Sequence, residues 1–248
     1  MAGTFPTLIG GHSVMYPFRV RYSCLTRVLK ATNGAEQRFV VRPAMVEMDL
    51  TYRNLAQADV DAIDNFFDSQ KGAFDSTWNL AFGGNTYTKM RFLEDQIRWE
   101  ETLPNRWTTR LRCSGFHPTV TGAPATFPPL DSGAVTQRPW SKRRVYDTNH
   151  NDLEVGVRHA LAFRGGGLSN FPTGPARAWD VQYPSISATE AERLVKFFLS
   201  QNGRSGVFDF TDPDTSVTYN GCRFASDDLE VQYVGFNNCA TAVTIEKN

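Results

Sequence analysis

This sequence has no excess of charge of either sign. Lysine plus arginine number 26 and aspartate plus glutamate number 26, so the formal net charge is zero. A chain without a net positive field has no general means of drawing in nucleic acid or an anionic membrane, and any contact with a polyanion has to be local. Long apolar runs are missing too. None approaches the roughly 18 residues of a membrane span, and the opening MAGTFPTLIGGHSVMYPFRV lacks a basic segment followed by an apolar one. The expectation is a soluble product made in the cytoplasm, with no membrane partner. Cysteine is sparse: Cys24, Cys113, Cys222 and Cys239 form neither a CxxC pair nor a dense framework. That argues against a zinc ribbon or a disulfide scaffold and for free, buried thiols.

Histidine is scarcer still in any useful arrangement. His150 and His159 stand nine apart in HNDLEVGVRH, which is neither HxxxH nor HExxH, and His12 and His117 sit in Pro/Gly-rich stretches. The glycines of RGGGLSNFP, Gly165, Gly166 and Gly167, are followed by no Lys-Ser or Lys-Thr and open no helix, so they read as a loop tip, not a phosphate cradle. No GxSxG elbow is present. Asp209, Asp212 and Asp214 alternate like calcium ligands, but the glycine and terminal glutamate of such a loop are absent. The expectations are therefore no catalytic residue, no metal, no cofactor and no enzyme. The basic run RPWSKRR, with Lys142, Arg143 and Arg144, reads as a linker end that faces a partner subunit or another acidic protein, with no sequence-specific nucleic acid bound.

What the sequence does have is a phrase written twice. FFDSQKGAFDSTW begins at Phe66 and FFLSQNGRSGVFDF begins at Phe197, 131 positions later. Upstream, Asp49 and Tyr52 stand against Asp180 and Tyr183 at the same offset; downstream, Tyr87 and Phe92 stand against Tyr219 and Phe224, the offset having grown by one. A match over roughly 75 residues exceeds any solenoid period and implies a duplicated domain. Between the copies, Pro118, Pro124, Pro128, Pro129 and Pro139 lie among small polar residues, a linker composition. The boundary falls near residue 130, giving domains 1–130 and 131–248.

Hydrophobic period orders each copy. VEMDLTY and RAWDVQY alternate as strands; residues 56–71 and 189–202 carry apolar residues at helical spacing and stop at Gly72 and Gly203. Short strands rich in aromatics follow, separated by Gly, Asn, Asp and Pro turns. The expected fold class is α+β and β-rich: two tandem copies of an antiparallel sheet, sandwich- or barrel-like, each flanked by one helix. Phe66 and Phe67, and their counterparts Phe197 and Phe198, are expected between helix and sheet.

The turn NGAEQRF, residues 33–39, followed by strand, helix, double Phe, Gly and aromatic strands, resembles the minor tail protein M and distal tail families of long-tailed bacteriophages. Gly34, Gln37 and Arg38 match the family's Gly-x-x-Gln-Arg turn in the first copy, and Asp212-Pro213 matches its Asp-Pro turn in the second. The second copy has GGGLSNFP in place of the Gln-Arg turn. The resemblance implies a structural protein at the virion tail tip: a ring between tail tube and baseplate hub that lets DNA pass. It also implies contacts with the tube, hub and tape-measure proteins, and no catalytic residues. Duplication makes the ring either a trimer with pseudo-sixfold form or a hexamer. Two other classes stay open: a carbohydrate- or receptor-binding module, which would expose Trp78, Trp99 or Trp107 as stacking rings, and a hydrolase with convergent carboxylates in a cleft.

Overall fold

The structure, a computed structural model, describes residues 3–8, 14–30, 36–74, 77–118, 120, 122, 124–128, 140–146, 152–153, 177–211 and 217–247. The two helices among the described residues start and stop for local reasons. Helix α1 (Gln57–Ser69) follows Ala56, which offers no side-chain cap. Helix α2 (Ala188–Ser200) opens on a capping box, with the Ser187 hydroxyl accepting from the Glu190 N–H and the Glu190 carboxylate accepting from the Ser187 N–H. Both stop a turn short of the glycines, because two successive residues go left-handed: Lys71 (φ 55°) then Gly72 (φ 62°), and Asn202 (φ 52°) then Gly203 (φ 61°). After α1 the Gly72 N–H reaches the Phe67 carbonyl at 3.2 Å and the Lys71 N–H the Asp68 carbonyl at 3.0 Å, a Schellman closure. A carboxylate from further along the chain then takes the next exposed N–H. Asp95 accepts from Ala73 N–H, and Asp227 accepts from Arg204 N–H, each at 3.0 Å.

The chain divides into two compact units. Unit 1 comprises Met1–Ser23, Pro43–Thr119 and Glu230–Cys239; unit 2 comprises Cys24–Arg42, Val120–Leu229 and Ala240–Asn248. Each therefore contains a segment from the other half of the sequence. The boundary expected near residue 130 lies outside the described residues.

In unit 1 the strands are β1 (Gly3–Thr4), the outer parts of β2 (Met15–Lys30) and β3 (Glu36–Leu55), β4 (Trp78–Phe82), β5 (Asn85–Phe92), β6 (Glu100–Leu103) and β7 (Arg106–Phe116). Their hydrogen-bonded order is β1-β4-β5-β7-β3-β2, with β6 also on β7. β1 runs parallel to β4; the pairs of β7 with β3, β5 and β6 are antiparallel. The core is Val20, Tyr22, Met48, Leu50, Leu55, Ile63, Trp78 and Met90. In unit 2 the strands are the remaining parts of β2 and β3, β8 (Trp140–Tyr146), β9 (Asp152–Leu153), β10 (Arg177–Ile186), β11 (Phe208–Thr211), β12 (Thr218–Phe224) and most of β14 (Asn238–Lys247); most of β13 (Asp228–Gly235) belongs to unit 1. The order here is β14-β10-β8-β9, with β12 on β14 and β11 on β12. Trp179, Leu194, Phe198, Phe208, Phe224 and Ile245 form the core. The protein is thus β-rich α+β, with mostly antiparallel strands and, among the described residues, one helix in each unit.

Residue-level parallels between the units extend well past the repeated phrase. Phe92 faces Cys113 and Arg91 faces Ser114; Phe224 faces Ile245 and Arg223 faces Glu246. Phe67 meets Phe92 at 4.9 Å between ring centroids, and Phe198 meets Phe224 at 5.1 Å. The buried polar residues fall into three pairs at the repeat offset: Asp59 with Glu190, Gln70 with Gln201, and Thr109 with Thr241.

Two expectations need correction. The proline-rich stretch after residue 116 is not linker throughout. Thr126 bridges Asp209 in parallel, and the Phe127 ring enters unit 2 beside Phe197, Phe208 and Phe210. In unit 1 Phe5 does the same beside Phe66 and Trp78, its N–H bonding the Asn79 carbonyl as that of Phe127 bonds Asp209. Thr-Phe-Pro is thus a short parallel strand that fills a ring cluster, and prolines on either side do not prevent it. The second correction concerns the double Phe. Phe197 and Phe198 are buried, but Phe66 and Phe67 are only half-buried. Gly203 after α2 lies beside Asp227 and Cys24, and Gly72 after α1 lies beside Asp95 and Phe67 itself.

Candidate interaction surfaces

The outward face of unit 1 carries an ion-pair lattice dictated by strand register. Asp49 on β3 faces Arg112 on β7, and Glu47 faces Ser114. Each carboxylate therefore meets the arginine two residues along on the diagonal: Arg110 forks onto Asp49, and Arg112 reaches Glu47 at 2.7 Å. Arg19 on β2 extends the lattice, 3.6 Å from both Asp49 and Glu230, and Arg112 stands 3.6 Å from Glu94. Most of these side chains are well exposed, so each pair is worth only about 0–1 kcal/mol. The lattice sets a charge pattern more than it sets stability.

Asp49 is the exception in exposure, and the hydrogen bond from Arg110 holds its carboxyl below the usual range, burial opposing. A depressed carboxylate contributes stability that is complete above its unfolded value, about 3.9, and is lost as pH falls through the lower native value. Asp49→Asn is therefore expected to lower the melting temperature equally at pH 7 and pH 5. The gap to wild type should close in stronger acid, and a gap that widened there would contradict this account.

Part of this face lines an open groove of about 1180 Å³, with Thr51, Arg98, Trp99, Thr108 and Arg110 among its residues. Trp99 is half-buried, its indole N–H donating to Asp64 on α1 at 2.9 Å. Trp107 is half-buried as well, and Trp78 is core. Unit 2 has an open groove of about 620 Å³ between helix α2 and the segment around Pro124, lined by Val120, Pro124, Pro128, Glu192, Lys196 and Phe197.

The sequence-derived residues sort into structural positions. Arg38 lies in unit 2 with its side chain 5 % exposed. Its Nε and Nη2 donate to Glu36, its Nη1 donates to the Arg204 carbonyl at 2.7 Å, and Glu246 stands 3.8 Å away. Arg223 adds a bond to the Ser205 carbonyl, its own pKa pushed down by burial and then by Arg38. Two arginines thus tie down the short 3-10 turn Gly203–Ser205 that follows α2. Gln37, next in sequence, is exposed, and Gly34 lies outside the described residues, as does Asp212-Pro213. Arg38→Ala should cost about 3 kcal/mol by stripping a buried cation from Glu36 and the Arg204 carbonyl. Arg112→Ala should cost less than about 1 kcal/mol. Urea denaturation of the two variants separates these expectations, and equal losses would mean that Arg38 is no clamp.

Lys142, Arg143 and Arg144 belong to β8, opposite Trp179, Ala178 and Arg177 of β10. The run is therefore strand and not a linker end, because its backbone pairs with β10. The four cysteines are free and buried. Burial pushes the thiols of Cys24 and Cys113 up to about 12 and those of Cys222 and Cys239 up to about 11, so none is poised as a nucleophile at neutral pH. Among the described residues no group of three or more His, Cys, Asp or Glu is arranged to hold a metal ion. No family model matches the chain, and no curated protein matches it.

Sequence reasoning missed the ion-pair lattice, the Asp95 and Asp227 turn holders and the destination of Arg38. The lattice alone left a signal. Glu47, Asp49 and Thr51 alternate on one strand while Arg110 and Arg112 alternate on another, a pattern of two polar outward faces.

Proposed function

We propose that this chain is a structural protein of a bacteriophage tail tip, built from two copies of one domain. It forms a ring that joins the tail tube to the baseplate hub, contacts the tape-measure protein and lets DNA pass. The observation that carries the reading is the parallel between the units: the same register, the same ring pairs and the same three buried polar pairs on a chain of zero net charge. A repeated unit is an economical way to build a closed ring, since three chains then supply six similar blocks. The neutral balance suits a wall past which a polyanion slides, because a basic lining would hold it. A second reading, a sugar- or receptor-binding module, draws on Trp99 at the unit 1 groove. That ring is half-buried with its N–H engaged, which favours the scaffold.

Mass measurement and negative-stain imaging of the purified protein test the proposal. A closed ring of about three chains supports the pseudo-sixfold form, and one of about six supports a hexamer in which the second copy stands apart from the first. A monomer at high concentration that binds glycans through Trp99 would replace the ring reading with the second one.

A further inference from the structure

Unit 2 contains a two-stranded ribbon, residues 24–30 of β2 and 36–42 of β3, one face of which is engaged by unit 2 except at the exposed Val40. On one face Cys24 is buried, Thr26 bonds Asp227 through both its N–H and its hydroxyl at 2.9 Å, and Arg38 clamps the turn after α2. The other face consists of Leu25, Arg27 and Leu29 with Gln37, Phe39 and Val41, all exposed. Its four apolar side chains are between 42 and 55 % exposed, and it carries one cation and no anion. Adjacent apolar side chains on an open ribbon are an interaction surface, since singly scattered ones need no explanation but a contiguous set does.

Unit 1 contains a second exposed apolar feature of opposite charge. The outward positions of β13 there are Glu230, Gln232 and Val234, leading into Phe236 at the turn before β14, which is 91 % exposed. This stripe carries one anion and no cation. Arg19 stands 3.6 Å from Glu230, whose side chain is still half exposed.

We propose that the occupant of the ribbon face is a second copy of this chain, docked through its Val234–Phe236 stripe. Phe236 covers Leu29 and Phe39, and Glu230, keeping its Arg19 partner, also meets Arg27. The commitment to a second copy rests on charge complementarity between two apolar stripes, one basic and one acidic, and on the zero net charge, which leaves copies of the chain free to approach. Because the two stripes are different surfaces, the contact is head-to-tail, and a head-to-tail contact whose rotation divides a full turn closes into a ring. The inference deepens the ring reading above and depends on it.

Sedimentation velocity of the full chain tests it. The wild type is expected to run as the ring. Phe39→Asp and Phe236→Asp, both at exposed positions, are each expected to drop the mass to that of one chain, 27.8 kDa, with an unchanged circular dichroism spectrum. Arg27→Glu should weaken the ring at least tenfold in dissociation constant, and adding Glu230→Arg should restore most of that loss. A ring that survives both aspartate substitutions, or a charge reversal that the double variant fails to rescue, overturns the ribbon contact while leaving the ring itself standing. A wild-type chain that is monomeric at every concentration overturns the ring and the contact together.

Discussion

Expressed without the rest of the chain, residues 1–119 are expected to show no cooperative unfolding transition and no fixed near-ultraviolet spectrum. The reason is the composition of unit 1, which includes Glu230–Cys239. Val231 in that segment is fully buried, and the Tyr233 ring stacks on Phe18 with centroids 4.5 Å apart and planes within 8°. Tyr22, itself buried, hydrogen-bonds to both Tyr87 and Tyr233. Burial of each large side chain is worth about 1.5–3 kcal/mol. Losing this segment therefore removes an amount comparable to the whole net stability of a domain, about 5–15 kcal/mol. The complementary piece, residues 120–248, lacks Cys24–Arg42 and with it the Arg38 clamp and the Thr26 bonds to Asp227. It too is expected to be loosely packed. The two pieces expressed together should co-purify and regain a sigmoidal urea curve. A cooperative transition in either piece alone would show that the borrowed segment is dispensable.

Phe198→Ala is expected to cost about 3–5 kcal/mol, through lost transfer energy and the cavity left beside Phe224. Phe198 is 1 % exposed and meets Phe224 edge-on at 5.1 Å. Phe67→Ala, at the matching place in unit 1, should cost less, because part of the ring's surface never leaves water. Equilibrium denaturation of the two variants measures the ratio. Equal losses would mean that the difference in burial has no energetic weight.

The elements that sequence exposes here are those with local causes. Val60 and Ile63, like Leu194 and Phe198, repeat at helical spacing, and a glycine stands just past each helix, so both helices are readable within two residues. The half-buried strands are readable from alternation, as in VEMDLTY and RAWDVQY. What is unreadable is everything decided by distant partners. Nothing near Phe127 announces that a ring between prolines will fill a cluster around Phe197 and Phe208. Nothing near Arg38 says that its guanidinium will end on a carbonyl 166 positions away. Even the repeat misleads slightly, since equal letters at Phe67 and Phe198 come with unequal burial. Of the surfaces, the basic run at Lys142 was visible as composition but not as strand, because pairing of β8 depends on β10 more than 30 residues later.

The borrowed segments also govern how the chain reaches its native state. Cys24–Arg42 is made early, yet its docking site around Asp227 and Arg204 is made some 160 to 200 residues later, so the nascent ribbon waits with Thr26 and Arg38 without their native partners. At high local concentration, as when many copies are translated together, that waiting ribbon meets the vacant site of a neighbouring molecule as readily as its own. The product is an entangled dimer held by native bonds in the wrong molecule. Refolding yield should therefore fall as protein concentration rises even where no aggregate forms, and slow dilution, by favouring the intramolecular encounter, should recover it.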